Sequence, residues 1–351
     1  MLKRYFSLGS SAALAAGLLL SGVANADADA LRDRAKAMFK PVPTVEEMIE
    51  EHKLNEDQIE LGRMLFFEPR LSKSHIITCN TCHSLGTGGA DNVPTSIGHG
   101  WNAGPRNSPT VLNAVFNAKQ FWDGRAEDLQ EQAEGPIQAD VEMNATPEMV
   151  EKVLNSIPEY KELFAKAFAD DKDPVTFKNA TEAIGVFEKT LVTPNAPFDK
   201  FLNGEDTLNE EEQKGLALFM DKGCTACHSG VNLGGQNFFK FGQVQAPDEK
   251  VRPESDKGLA DLTGDESQEY FFRASPLRNI ALTAPYFHSG TVWSLEEAVD
   301  IMAKSQLGQT LEKDEISAIV AFLNTLTGDQ PEVEYPILPP STADTPKPDS
   351  N

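Results

Sequence analysis

Cys79-Asn80-Thr81-Cys82-His83 and Cys224-Thr225-Ala226-Cys227-His228 are two copies of one chemical device. Two thiols at this spacing can add across both vinyl groups of a single porphyrin. The His that follows at once is brought beneath the iron, which is the pattern of c-type haem attachment. A redox C-x-x-C pair has no need of that His, and a zinc site built from both pairs would leave both imidazoles spare. The copies use all four cysteines of the chain, so none is left for a structural disulfide. Thioethers are expected at Cys79, Cys82, Cys224 and Cys227, with His83 and His228 as proximal ligands of two covalently bound haems.

The surrounding sequence also repeats. Gly62-Arg-Met-Leu65-Phe66 and Gly215-Leu-Ala-Leu218-Phe219 each precede a haem motif, and Ser108-Pro109 matches Ser275-Pro276. Phe121-Trp122-Asp123-Gly124 then matches Phe287-His288-Ser289-Gly290, with Leu129 and Leu295 in step behind them. Iron held by His and Met is six-coordinate, raised in potential and suited to electron transfer. Met302 is the only methionine after the second motif and the expected distal ligand of that haem, although a Met on an amphipathic helix is by itself an ordinary core residue. In the repeat register Met302 falls on Pro136, which cannot ligate iron.

The first haem therefore needs another distal group, or has none. His99, flanked by Gly98 and Gly100, sits on a loop that could ligate reversibly. His75, four residues before the first motif, is a rival on composition alone, and His52 is expected to face solvent. Gln132 and Glu142 lie on either side of Pro136. A carboxylate near an open haem face can take a proton from the inner oxygen of a peroxide and return it to the leaving oxygen, while an amide stabilises the developing charge. Taken alone, one Glu among 54 acidic residues is a solvated surface group.

Helices must position these groups. Periodicity and caps predict them over 44–51, 56–67, 126–133, 148–154, 159–169 and 177–191, with Thr146-Pro147 as a start signal. In the second half, Asn209 caps a helix to Lys222, and Gly223 stops it just before Cys224. Ser294-Leu-Glu-Glu297 opens a helix carrying Met302, and a last helix runs over 312–326. Residues 84–109 and 230–269 read as loops, and 194–203 as the join between halves. Strand signals are sparse. The expected fold is mainly α, with two cytochrome c-like domains at 27–194 and 195–328, and a Pro-rich extended tail at 329–351.

Residues 1–26 read as a signal peptide: Lys3 and Arg4, an apolar run over 14–20, and Ala24-Asn25-Ala26 as cleavage site. That run is too short to span a bilayer, and no other stretch is apolar enough. The formal net charge of −23 argues against nucleic acid and anionic membrane as partners, and slightly favours basic proteins.

The chain resembles the bacterial dihaem cytochrome c peroxidases over about 57–326. The resemblance rests on both haem motifs together with Gly104-Pro-Arg-Asn107-Ser-Pro-Thr, Phe121-Trp-Asp-Gly-Arg125, Leu277-Arg-Asn-Ile280 and Ala284-Pro-Tyr-Phe-His-Ser-Gly290. It implies a periplasmic enzyme that reduces hydrogen peroxide to water with electrons from a small cytochrome c or cupredoxin. The N-terminal haem would be peroxidatic, with His99 as displaceable ligand and Gln132 and Glu142 as distal acid–base pair. The C-terminal haem, held by His228 and Met302, would pass electrons past Trp122. One calcium ion would be bound by Asn107, Thr283 and Pro285, and a homodimer is expected. In most of the family, reduction of the C-terminal haem releases the distal His; a few members are open when oxidised. Met302 sets the chain apart from the related tryptophylquinone-forming enzymes, which carry Tyr there. Two other readings remain at this level: a dihaem electron carrier with both irons six-coordinate, and a peroxide sensor of low turnover.

Overall fold

The computed structural model describes residues 28–350; the expected signal peptide lies outside them. A first helix, α1, covers 28–36. The N-terminal unit is then built from α2 (Val45–His52), α3 (Glu56–Phe66), α4 (Cys79–Cys82), α5 (Leu129–Gln138), α6 (Pro147–Asn155), α7 (Pro158–Ala167) and α8 (Phe177–Glu188). After α9 (Pro197–Leu202), the C-terminal unit comprises α10 (Glu210–Asp221), α11 (Leu259–Thr263), α12 (Leu295–Leu307) and α13 (Lys313–Asn324). One antiparallel ribbon pairs β1 (Phe238–Lys240) with β2 (Phe271–Arg273). The protein is mainly α, with two cytochrome c-type units, as the periodicity predicts. Among the described residues no helix is long and apolar enough to cross a membrane.

Each unit is organised around one helix crossing that depends on a glycine. A Cβ on Gly62 of α3 would lie 1.9 Å from the Ala183 carbonyl oxygen of α8, and one on Gly215 of α10 would lie 1.8 Å from that of Ala318 in α13. These approaches are closer than any side chain permits, so the backbones touch only because both positions are glycine. Leu61, Leu65, Ala183 and Ile184 are buried on one side, and Leu216, Phe219, Ile319 and Phe322 on the other. The caps match their sequence signals. Thr146 accepts from Met149 N, and Asn209 exchanges reciprocal bonds with Glu212.

The repeat holds in backbone detail between the crossings. Asn113 and Asn279, Phe121 and Phe287, and Gly124 and Gly290 all have positive φ, and the bridges Gln120–Ala126 and Tyr286–Val292 occupy matching places. Helices α5 and α12 start in register at Leu129 and Leu295, behind caps Asp128 and Ser294. Pro136 therefore sits on α5 where Met302 sits on α12.

Packing differs from the sequence expectation in four places. The expected join at 194–203 contains α9, whose Phe198, Phe201 and Leu202 are buried in the C-terminal core. The expected loop at 230–269 contributes Leu233, Phe241 and Val251 to the interior. Helix α1 lies before the N-terminal unit in sequence but packs Leu31, Ala35 and Phe39 into the C-terminal core. Its buried Arg32 donates to Phe201 O and pairs with Asp206 at 2.8 Å. The tail from 329 onward crosses the N-terminal unit. Tyr335 rests on Phe67 at 4.7 Å, Arg70 donates to Pro339 O, Thr342 donates to Ser156 O, and Asp349 N donates to Lys73 O.

Candidate haem sites and the septum between them

Each motif opens onto its own cavity. The first, about 580 Å³, is lined by Cys79, Cys82 and His83 together with Gln132, Pro136, Glu142 and Glu188. The second, about 220 Å³, is lined by Cys224, Cys227, His228, Met302 and a largely apolar wall. Asn107, Trp122 and Arg273 line both and form the septum.

The local folds explain the placement of the motifs. Thr78 and Thr81 make a reciprocal capping box around α4, so Cys79 and Cys82 are one helical turn apart. At the second motif Gly223, at φ 96, ends α10 and reverses the chain into Cys224. Burial holds the His83 and His228 imidazoles below their usual range, which favours the neutral form that iron requires. His228 Nδ1 lies 3.1 Å from Leu233 O, which fixes the ring and leaves Nε2 for the cavity. His83 Nδ1 is buried without a hydrogen-bond partner. Paired thiols and a buried neutral imidazole at each cavity fit a covalently attached haem in both units.

The first cavity has a broad polar side, which includes Gln132, Glu142 and Glu188. Glu142 is pushed above its ordinary value by burial, opposed by Arg125. Its main-chain oxygen accepts from His99 N at 2.7 Å. A Cβ on Gly98 would lie 2.1 Å from Val141 O, so only glycine lets the His99 loop press against the Glu142 segment. Gly98 lines the cavity, whereas His99 is buried beside it with Nδ1 unpartnered and is not part of the lining. Glu188, at the C-terminal end of α8, is a lining residue that sequence reading missed. Burial alone raises it to about 8. Its only sequence signal is an acid on a helix otherwise buried along most of its length.

The septum is tied together through backbone. Trp122 Nε1 donates to Asn107 O at 2.8 Å, and Asn107 N donates to His288 O at 2.8 Å. The Trp122 and His288 rings, which match in the repeat, meet edge to face at 6.1 Å. His288 stacks on Phe272 at 4.2 Å, and burial lowers it to about 4. Thr283 and Pro285 line the second cavity together with Asn107. Asn107 Nδ2 is spent on Val93 O, which leaves Oδ1 as the atom able to serve a hard cation. Among the described residues no group of three or more His, Cys, Asp or Glu side chains is arranged for a metal, so a cation here would draw on amide and carbonyl oxygens.

Two family descriptions match: "Di-haem cytochrome c peroxidase" over residues 56–207 and "Cytochrome c" over residues 212–327. The cytochrome c551 peroxidase of Pseudomonas aeruginosa is 58% identical over 97% of this chain and 99% of its own length. The chain belongs to the di-haem cytochrome c peroxidases. It is an oxidoreductase acting on peroxide. A second cytochrome c551 peroxidase, from Nitrosomonas europaea, is 53% identical over 84% of this chain and 86% of its own. The methylamine utilization protein MauG of Methylorubrum extorquens is 33% identical over 91% of the chain and 92% of its own. Among solved structures, a MauG-like protein associated with microbial copper homeostasis superposes with a TM-score of 0.72 at 29% identity, covering 82% of this chain and 93% of that one. The peroxidase is thus similar both to cytochrome c551 peroxidases and to MauG-like proteins.

Proposed function

We propose that this di-haem peroxidase works in the periplasm, reducing hydrogen peroxide at the N-terminal haem with electrons delivered through the C-terminal haem. The observation that carries the assignment of roles is the pair Pro136 and Met302, in the same place on α5 and α12. The haem at Cys79 and Cys82 would supply the iron at which the O–O bond is reduced, and the haem at Cys224 and Cys227 a high-potential electron store.

His83 and His228 would each hold one haem iron, and Met302 would supply a second ligand in the C-terminal unit. Glu142 is placed for proton transfer. Its raised affinity for a proton suits a group that takes one from the inner peroxide oxygen and delivers it to the leaving oxygen. Gln132 faces the same cavity and offers an amide N–H to the charge that develops on that oxygen. Each turnover consumes one peroxide, two protons and two electrons from one-electron donors, and yields two waters. Trp122 supports transfer between the units because it lines both cavities.

His99 acts as the displaceable ligand. Its loop is anchored to the Glu142 main chain, so movement of the loop would open the distal side and reset the acid together. Reduction of the C-terminal unit would trigger that release, and Asn107, Thr283 and Pro285 would hold a calcium ion that supplies coupling between the units across the septum. The donor is a small cytochrome c or cupredoxin, and the working form a homodimer.

The test is a reductive titration of the calcium-loaded holoprotein to the half-reduced state, followed by peroxide and reduced donor. High-spin five-coordinate haem should appear at half-reduction and donor should then be oxidised. Two six-coordinate haems throughout, with no donor oxidised, would instead describe an electron carrier.

A further inference from the structure

Arg273 is an unneutralised buried cation at the border of both haem cavities. It ends β2 and is 4% exposed. Its main-chain N–H donates to Trp122 O at 2.8 Å and its Nε to Phe121 O at 3.2 Å, so the guanidinium is aimed into the septum by the segment that carries Trp122. Nη1 is buried without a partner. Burial is the sole influence on its proton affinity, which is lowered to about 10; no carboxylate acts on it.

The repeat makes this informative. Arg273 stands two residues before Ser275-Pro276, and Arg106 stands two residues before Ser108-Pro109. Arg106 is fully engaged. Nε and Nη2 grip Asp256 at 2.7 Å each, and Nη1 donates to Asp123 at 2.6 Å. It lines only the first cavity, whereas Arg273 lines both. Of two equivalent arginines, one has two carboxylates and the other has none. A buried guanidinium left without an anion costs several kcal/mol, so the completed protein must bring it one.

Each c-type haem carries two propionate carboxylates, and planar carboxylates are what a guanidinium binds best. We propose that Arg273 is the anchor for a haem propionate at the septum, and that its charge holds up the potential of that haem. Arg273 is thus a positioning residue at the border of the two cavities. Removing the cation leaves the propionate charge uncompensated. The oxidised iron is then favoured, and the potential falls. The proposal rests on haem attachment in both units.

The test compares wild type with Arg273→Gln and Arg273→Lys as holoproteins. Haem content per chain is measured first, then both potentials by spectroelectrochemical titration, then the propionate-bending bands by resonance Raman. Two haems in wild type are required by the attachment itself, and fewer would overturn that reading instead. With two haems present, Arg273→Gln should weaken reduction of one haem at least tenfold, about 59 mV for a one-electron couple. Arg273→Lys should recover part of that loss and shift the propionate bands. If Arg273→Gln fails to fold, the Lys variant and its Raman bands decide. Potentials and propionate bands identical to wild type in whichever variants fold would overturn the proposal.

Discussion

In the C-terminal unit α12 carries Met302 to the cavity that holds His228. In the N-terminal unit α5 carries Pro136 to the cavity that holds His83. The frames are otherwise alike, from the glycine crossing to the paired positive-φ asparagines and the matched helix caps. What differs is the chemistry offered to the distal side: a thioether in an apolar wall, against a proline with Gln132, Glu142 and Glu188 nearby. The internal repeat supplies two alike helical frames. On the proposed roles, the lost soft ligand and the carboxylates admitted to that pocket would separate a reactive site from an electron store.

The strongest way to break this comparison is Pro136→Met, which returns a thioether to the first unit. The helix should tolerate it, since Pro is the poorest residue for a helix interior. The expected outcome is a second six-coordinate haem and peroxide turnover near background, read by visible spectra and stopped-flow. Glu142→Gln comes next: turnover should fall by about 10²–10⁴, within the usual range for removal of a general acid–base group, while both haem spectra persist. In wild type the raised Glu142 makes activity decline as pH falls through a value above the ordinary 4.5, and the variant should lose that limb.

Two further variants sharpen the comparison. Gly62→Ala and Gly215→Ala should each cost about 1–3 kcal/mol or more by overpacking, measured by denaturant unfolding. Each should reduce haem incorporation in its own unit first. The effect that depends most on conditions is expected at Glu188. Unfolded, this acid loses its proton near 4.5, while in the native state it keeps it to about 8. The native state therefore binds more protons across that window, and its stability falls as pH rises through it, by up to about 1.4 kcal/mol per pH unit. Glu188→Gln should be more stable than wild type at the alkaline end and nearly equal near pH 4. A difference independent of pH would mean that the native carboxylate is ionised.

Much of the candidate site was legible in the sequence because haem attachment is local. Five residues fix two thioethers and a proximal ligand, and the repeat register carries the comparison of Met302 with Pro136. Helix caps such as Thr146 and Asn209 are local too. Contacts between distant segments were not legible. No helix is expected over 28–36, 194–203 reads as a join, and nothing in their composition says that both lie in the C-terminal core. Glu188 and Arg273 looked like ordinary charged residues among many. Only the fold shows that each is enclosed without a counter-charge.

The two ends of the chain are exchanged: α1 fills the C-terminal core, and the tail from Asp329 onward is laid across α3, α6 and the segment before the first haem motif. The molecule is therefore clasped at both ends. A cut at the centre of the chain would not yield two whole cytochromes, because each fragment would keep the other's strap. The N-terminal unit comes first in the chain, yet residues from the opposite end, 335–349, are strapped across its surface.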